Sequence, residues 1–229
     1  AAGRVDAFVA VAGWLRAQGL SAPEVLAAEP ALGLAVLEDL GDDLYATVIA
    51  NGGDEPLMYD AAVDALVALH AAKPPAVLEA GGSTWPLLTY DDLALRMAQD
   101  LFVECLPQLK PLTFDAAALA DWQALWTPIR ARGEAGASVF CHRDYHAENL
   151  LWLPKREGPA RVGLIDFQDA VKAHPAWDFS MLLHDARRDV SPEIEQRGLD
   201  RYLAARPDLD REQLLADYHA LGALNIARI

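Results

Sequence analysis

The chain is poor in lysine and in positive charge overall. Its 229 residues include 19 lysines and arginines against 34 aspartates and glutamates, which gives a formal net charge of −15. The only lysines are Lys73, Lys110, Lys155 and Lys172. Nucleic acids and anionic membranes are bound by clustered lysine and arginine. We therefore expect no nucleic-acid partner and no membrane partner.

Cysteines and long apolar runs are also scarce. The two cysteines, Cys105 and Cys141, are too few for a disulfide framework. No apolar run reaches membrane-spanning length, and no signal peptide is recognisable. Hydrophobic residues nevertheless make up 53% of the chain, which is enough for a sizeable core. These observations predict a cytoplasmic protein with one large domain or two unequal lobes.

Acid and amide side chains adjoin short apolar stretches in the second half of the chain. Segment 141–152 reads Cys-His-Arg-Asp-Tyr-His-Ala-Glu-Asn-Leu-Leu-Trp, and segment 163–169 reads Gly-Leu-Ile-Asp-Phe-Gln-Asp. We expect Asp144, Asn149 and Asp166 to converge at one end of a small β-hairpin. One carboxylate could orient an attacking hydroxyl, while the amide and the second carboxylate hold magnesium against the phosphates of ATP. The pattern therefore favours phosphoryl transfer.

The order H-x-D-x-x-x-x-N, followed by I-D-F with 16 residues between Asn149 and Asp166, is that of the catalytic and metal-binding loops of kinases. On these residues the chain resembles the aminoglycoside-phosphotransferase and choline-kinase family, from about Phe8 onward. Segments 165–171, 174–178 and 182–185 further resemble the anomeric kinases that phosphorylate N-acetylmuramate and N-acetylglucosamine at C1. The resemblance implies a bilobal, protein-kinase-like α+β fold and an ATP- and Mg²⁺-dependent sugar 1-kinase of peptidoglycan recycling.

Three residues of the motif are assigned to the chemistry. Asp144 is the candidate catalytic base, since a carboxylate can aim the acceptor hydroxyl and take its proton. Asn149 and Asp166 are the candidate magnesium ligands, because Mg²⁺ prefers oxygen donors and needs few from the protein.

The resemblance also implies supporting roles for neighbouring residues. His142, Arg143 and Asp178 are expected to hold the catalytic loop. A hinge at Glu38, Asp39 and Leu40 is expected to meet the adenine edge through its backbone groups. The remaining candidate contacts to phosphate or substrate are His146, Gln168, Asp169 and Tyr90.

The periodicity predicts mostly helices outside the catalytic strands. Strands are predicted at 22–28 and 34–38, and a loop rich in proline and glycine at 71–86. The helix at 114–132 carries an apolar stripe that predicts a central packing role. Predicted helices are 5–18, 44–50, 57–72, 91–106, 114–132, 177–186, 192–205 and 211–228.

These elements are interpreted as two lobes. Residues 1–41 would be the remnant of a β-rich small lobe ending in the hinge, and residues 42–229 a helical large lobe. A glycine-rich phosphate loop and a strand lysine are not found in the sequence. We therefore expect the chain to be part of a longer protein.

Several alternatives stay open. The acceptor could be an aminoglycoside or another small molecule such as choline or homoserine. His142 and His146, with Glu148 or Asp166, could instead be the ligands of a metal-dependent hydrolase. A kinase-like module without catalytic activity is a further alternative.

Overall fold

The computed structural model describes residues 2–227, and side chains from residue 5 onward. This part of the chain contains eight α-helices and eight short β-strands. The helices are α1 (Ala2–Ala17), α2 (Tyr45–Ala50), α3 (Glu55–Ala71), α4 (Asp92–Leu109), α5 (Ala116–Ala135), α6 (Ala176–Leu183), α7 (Pro192–Ala205) and α8 (Arg211–Ala227). The strands are β1 (Val25–Glu29), β2 (Leu34–Leu37), β3 (Val77–Ala80), β4 (Ser83–Pro86), β5 (Val139–Cys141), β6 (Leu150–Trp152), β7 (Val162–Leu164) and β8 (Val171–Ala173).

The first helix and the strand pair after it were predicted and are confirmed. The antiparallel strands β1 and β2 pair from Val25 with Leu37 to Glu29 with Leu34. A turn closes between them at Gly33, whose φ of 71° is a conformation that glycine adopts at little cost.

The predicted loop at 71–86 is wrong, because a β-hairpin lies within it. β3 and β4 pair antiparallel around Gly81 and Gly82, which have φ values of 55° and 79°. A Gly-Gly pair between two short strands is a known hairpin signal, since both turn residues need positive φ. The hairpin packs against α1, where Ser83 donates a hydrogen bond to the Asp6 carboxylate at 2.7 Å.

The central packing helix is α3 rather than α5. Nine residues of α3 are buried, whereas in α5 burial is confined to Trp126, Arg130 and Gly133. Leu119 and Leu125, from the predicted apolar stripe, are 40% and 60% exposed. The prediction for α5 was therefore wrong: the helix lies at the periphery, against α4 and α8.

The predicted helix 91–106 extends to Leu109, so Pro107 lies inside the last turn of α4. A proline there removes a single N–H donor, and the helix still closes through the bond from Lys110 N–H to Leu106 C=O at 3.0 Å. The helices predicted after the catalytic strands are confirmed, although the predicted end of the last one, Arg228, lies outside the described residues.

Four short strands form two separate antiparallel pairs that position the candidate site. β5 pairs with β8, and β6 pairs with β7. Backbone bonds tie β6 and β7 to the first part of the chain: Leu164 N–H donates to Ser21 C=O at 2.9 Å, and Trp152 N–H donates to Asp43 C=O at 2.7 Å. Within residues 2–227, no helix combines the length and the apolar character needed to cross a membrane.

Candidate active site

Side chains of α6 hold the loop after β5 through hydrogen bonds to the loop backbone. Asp178 is fully buried, and its carboxylate accepts hydrogen bonds from the backbone N–H groups of His142 at 2.6 Å and Arg143 at 2.8 Å. The Trp177 indole donates to the Arg143 carbonyl at 3.3 Å. Arg143 has a φ of 80°, which is unfavourable for a residue with a Cβ. The bonds from α6 hold the backbone in this strained conformation.

Asn149 closes the same loop and connects it to the end of β7. Its side-chain amide donates to the Asp144 carbonyl at 3.0 Å and lies 3.2 Å from Nε2 of His146. The backbone carbonyl of Asn149 accepts a hydrogen bond from Ile165 N–H at 3.2 Å, and Ile165 directly precedes Asp166. The pairing of β6 with β7 therefore brings Asn149 beside the residue that precedes Asp166.

Asp166 is exposed at the end of β7, and Gln168 donates a hydrogen bond to its Oδ1 at 2.6 Å. Its φ is 61°. Among non-glycine residues of the described chain, positive φ occurs at Asp166 and Arg143, so both strained positions lie in the candidate site. Such strain is concentrated at functional sites, where the surrounding fold sustains it. Asp169 follows and is half-buried before β8.

The side chains of Asn149 and Asp166 fit a magnesium ion by their donor chemistry. Because Nδ2 of Asn149 donates to the Asp144 carbonyl, Oδ1 is the atom that could act as a ligand. Together with the exposed Asp166 carboxylate it offers the hard oxygen donors that Mg²⁺ prefers.

The alternative hydrolase site is not formed. Within the described residues, the one group of three metal-ligating side chains is the buried set His70, Cys141 and Asp178, which includes neither His142 nor His146. Glu148 instead forms an ion pair with Arg187 at 3.3 Å.

Both loop histidines are buried. His142 packs edge-on against Tyr145 and Phe167, with ring centroids 5.7 and 6.4 Å away. Burial lowers the pKa of His142 and also that of His146, which is 4% exposed. A neutral imidazole at His146 can offer phosphate a hydrogen bond but no charge.

The predicted hinge residues lie beside the end of the β6–β7 pair. Glu38 pairs with Arg16 at 3.3 Å and with Arg156 at 2.5 Å, and the Asp39 carboxylate accepts from Gly41 N–H at 2.8 Å. These side chains are therefore engaged in structural contacts. Within the described chain, the backbone N–H groups of Asp39 and Leu40 have no hydrogen-bond partner.

A cavity of about 320 Å³ opens beside the predicted hinge residues. It extends to Ile165, which directly precedes Asp166 in the chain. Its size is in the range of small-molecule pockets. The lining residues are Pro23, Glu38, Asp39, Leu40, Gly41, Asp42, Leu44, Leu151 and Ile165.

A second cavity, of about 390 Å³, is lined by residues that include Tyr90 and Arg143. Tyr90 is brought there because segment 88–90 runs beside β8, with bonds from Lys172 N–H to Leu88 C=O and from Tyr90 N–H to Lys172 C=O, both at 2.8 Å. The Arg143 guanidinium lies over the Tyr90 ring, 5.6 Å from its centroid.

Sequence reasoning had singled out Tyr90 and Arg143 from this second cavity and missed the others. The missed residues come from a loop, a short strand and one face of α4, where the spacing is helical but does not distinguish a cavity wall from a buried face. They are Leu88, Thr89, Ala94, Met97, Ala98, Leu101 and Val171.

Comparison with known proteins agrees with this architecture. The model of the phosphotransferase enzyme family (APH) matches residues 1–215. The N-acetylmuramate/N-acetylglucosamine kinase of Caulobacter vibrioides is 73% identical over 229 residues, which are 100% of this chain and 63% of that protein. The chain thus spans less than two thirds of this relative's length.

Solved structures show the same fold at low sequence identity. Plasmodium vivax ethanolamine kinase superposes with a TM-score of 0.61 at 16% identity, covering 96% of this chain and 63% of its own. Aminoglycoside phosphotransferase APH(3'')-Id of Streptomyces rimosus superposes with a TM-score of 0.58 at 18% identity, covering 97% and 82%. The predicted protein-kinase-like α+β fold is confirmed, and the chain belongs to the APH phosphotransferase enzyme family.

Proposed function

We propose that this chain is the greater part of an ATP-dependent kinase that phosphorylates the anomeric hydroxyl of an N-acetylated amino sugar, N-acetylmuramate or N-acetylglucosamine, in peptidoglycan recycling. The observation that carries the proposal is the loop from His142 to Asn149, held by Asp178 and joined to the end of β7 beside Asp166. The 73% identical relative bears the name of that kinase, which supports the choice of acceptor.

Asp144 would orient the anomeric hydroxyl and accept its proton as the anomeric oxygen bonds to the γ-phosphorus. The bond from that phosphorus to the bridging oxygen breaks, and ADP leaves. Asn149 Oδ1 and the Asp166 carboxylate would hold Mg²⁺, which when bound neutralises charge on the phosphates. Gln168 would keep the Asp166 carboxylate in place through its 2.6 Å hydrogen bond.

The two cavities would take the two substrates. The backbone of Asp39 and Leu40 would meet the adenine edge at the hinge cavity, since their N–H groups have no partner within the described residues. The cavity beside Tyr90 would receive the acceptor. We also propose that the lobes divide near Gly41. We expect the reaction to take place in the cytoplasm, where ATP is available.

An aminoglycoside acceptor is the second candidate, because the fold is shared with aminoglycoside phosphotransferases. Aminoglycosides are polycations and would be expected to meet carboxylates. The described residues that line the Tyr90 cavity include a guanidinium and no carboxylate, which favours the amino sugar.

The test is an ATP-coupled assay of the full-length protein against N-acetylmuramate, N-acetylglucosamine, an aminoglycoside, choline and homoserine. The expected product is a sugar 1-phosphate that has lost its reducing end. Phosphate on a primary hydroxyl, or transfer to the aminoglycoside alone, would contradict the anomeric assignment while leaving the kinase assignment in place. No phosphate transfer from ATP to any of the five would contradict both.

A further inference from the structure

We propose that the Arg143 guanidinium binds a carboxylate on the acceptor, and so selects an N-acetylated sugar acid over its neutral counterpart. The inference rests on the proposed function and extends it from the reacting hydroxyl to the recognition of the rest of the acceptor. It assigns Arg143 a role in specificity in addition to the loop-supporting role expected from the sequence.

The backbone of Arg143 is positioned at a conformational cost. A residue with a Cβ at φ 80° is strained, whereas glycine would adopt this φ freely. Three hydrogen bonds from α6 hold the segment there: Asp178 accepts from the N–H groups of His142 and Arg143, and Trp177 donates to the Arg143 carbonyl. A long cationic side chain at such a position points to a use for the side chain itself.

The guanidinium is available on the cavity side of the loop. It stacks over Tyr90, and both residues line the 390 Å³ cavity. Its Nε atom is buried and has no hydrogen-bond partner within the described residues. A buried donor without a partner is costly. Because Nε has no accessible surface, a ligand carboxylate would bind at the terminal nitrogens of the guanidinium, which are not among the buried atoms.

The distribution of charge in the cavity also favours binding of a carboxylate at Arg143. Among the described residues that line this cavity, Arg143 carries the only charge, and the remaining lining is mostly apolar. The whole chain has a net charge of −15, so an anionic acceptor needs a local cation to approach. Arginine suits a carboxylate better than lysine does, because its planar fork can bind both oxygens at once.

The two proposed acceptors differ in the presence of a carboxylate that Arg143 could bind. N-acetylmuramate carries a lactyl ether that ends in a carboxylate, while N-acetylglucosamine has a free hydroxyl at the same carbon. The lactyl methyl group suits an apolar wall such as Met97, and the carboxylate suits Arg143. A neutral sugar would leave the guanidinium without this partner.

The experiment compares kcat/KM of the full-length protein for N-acetylmuramate, its methyl ester and N-acetylglucosamine. Arg143→Gly removes the guanidinium and relieves the strain at φ 80°, so the loop should keep its conformation. We expect this change to lower the ratio of kcat/KM for N-acetylmuramate to that for its methyl ester by roughly 10- to 100-fold, the size of a charge-assisted hydrogen bond. Arg143→Lys, which keeps charge without the fork, should recover part of the ratio.

Arg188→Gln is the matched control, because Arg188 stacks over Tyr59 at 5.7 Å and is not among the residues that line the cavity. It changes the net charge by the same amount as Arg143→Gly and should leave the acceptor ratio unchanged. If Arg143→Gly lowers kcat/KM equally for the acid and its ester and raises the KM for ATP, the guanidinium serves the nucleotide phosphates and the inference is wrong. If the wild type phosphorylates none of the three sugars, the proposed function fails and the inference falls with it.

Discussion

The carboxylate of Asp178 accepts a hydrogen bond from the backbone N–H of Arg143 at 2.8 Å. The two residues are 35 positions apart, one in α6 and the other in the loop that follows β5. This bond, with the 2.6 Å bond to His142 N–H, ties the strained backbone before Asp144 to the core of the fold. Because Asp178 is fully buried, both bonds form away from water, where a missing acceptor is expensive.

The first prediction is that Asp178→Asn destabilises the protein and slows the reaction. Asparagine keeps the shape but lets only one oxygen accept, so one of the two backbone N–H groups loses its partner. We expect the free energy of unfolding to fall by about 1.5 to 3 kcal/mol. Chemical denaturation measures this loss. The value of kcat at saturating concentrations of both substrates shows how far the displaced loop slows the reaction. Asp200→Asn, which removes a surface ion pair with Arg211, should change both values little.

The second prediction separates Asp144 from Asp166 in the full-length protein. Asp166→Asn removes a charge that would hold magnesium, so metal binding should weaken along with turnover, and added magnesium should recover part of the rate. Asp144→Asn should leave nucleotide and magnesium affinity near wild type while the rate falls by roughly 100- to 10,000-fold.

A magnesium titration of turnover for both variants, beside nucleotide binding, checks this pair of assignments. Rescue of Asp144→Asn but not of Asp166→Asn by magnesium would mean that the two roles are reversed. If neither change slows the reaction tenfold, the kinase proposal itself is wrong.

The third prediction concerns the close approach of α1 to the β3–β4 hairpin. A Cβ added to Gly13 would lie 2.1 Å from the Ala80 Cβ, which leaves no room for it without a shift of helix or strand. Gly13→Ala should therefore lower the free energy of unfolding by about 1 to 3 kcal/mol, in spite of the better helix propensity of alanine. In the double variant Gly13→Ala/Ala80→Gly the space is restored, and most of the loss should return. Additive losses in this double-mutant cycle would show that the two sites do not touch.

The fourth prediction is a loss of stability at mildly acidic pH, caused by buried histidines. Burial lowers the pKa of His70, whose Nδ1 lies 2.8 Å from the Tyr202 hydroxyl and whose Nε2 lies 4.0 Å from Asp178. The neighbouring Asp178 carboxylate raises this pKa and Arg206 lowers it, but desolvation is the larger effect. Burial likewise lowers the pKa of His174, despite the Asp217 carboxylate at 3.3 Å.

Because these pKa values lie below the value of about 6.5 for an unfolded chain, the unfolded state binds more protons as the pH falls. Stability should be fully present above about pH 6.5 and decrease from there down to the pKa of the folded state. Denaturation curves at pH 7.5, 6.5 and 5.5 measure the slope of the free energy of unfolding against pH. His70→Gln should make it shallower, and an unchanged slope would rule out His70 as a source.

The kinase resemblance and the fold could be predicted from the sequence because their signals are local. The catalytic segment 141–152 and the segment 163–169 carry their meaning in spacing and order. Most helices follow from apolar periodicity and from caps such as Asp91, which accepts from Ala94 N–H at 2.9 Å. The β3–β4 hairpin was also locally encoded, in Gly81 and Gly82, but general proline and glycine enrichment concealed it.

The sequence by itself thus determined the family, the fold and the residue types available for catalysis. The tertiary structure decided which side chains meet: Asp178 with the Arg143 backbone, His70 with Tyr202, and Tyr90 with the Arg143 guanidinium. It also decided that the stripe of α5 lies at the periphery while α3 fills the core. Periodicity identifies an apolar face but carries no information on what covers it. Contacts between residues distant in sequence depend on how all the elements pack together.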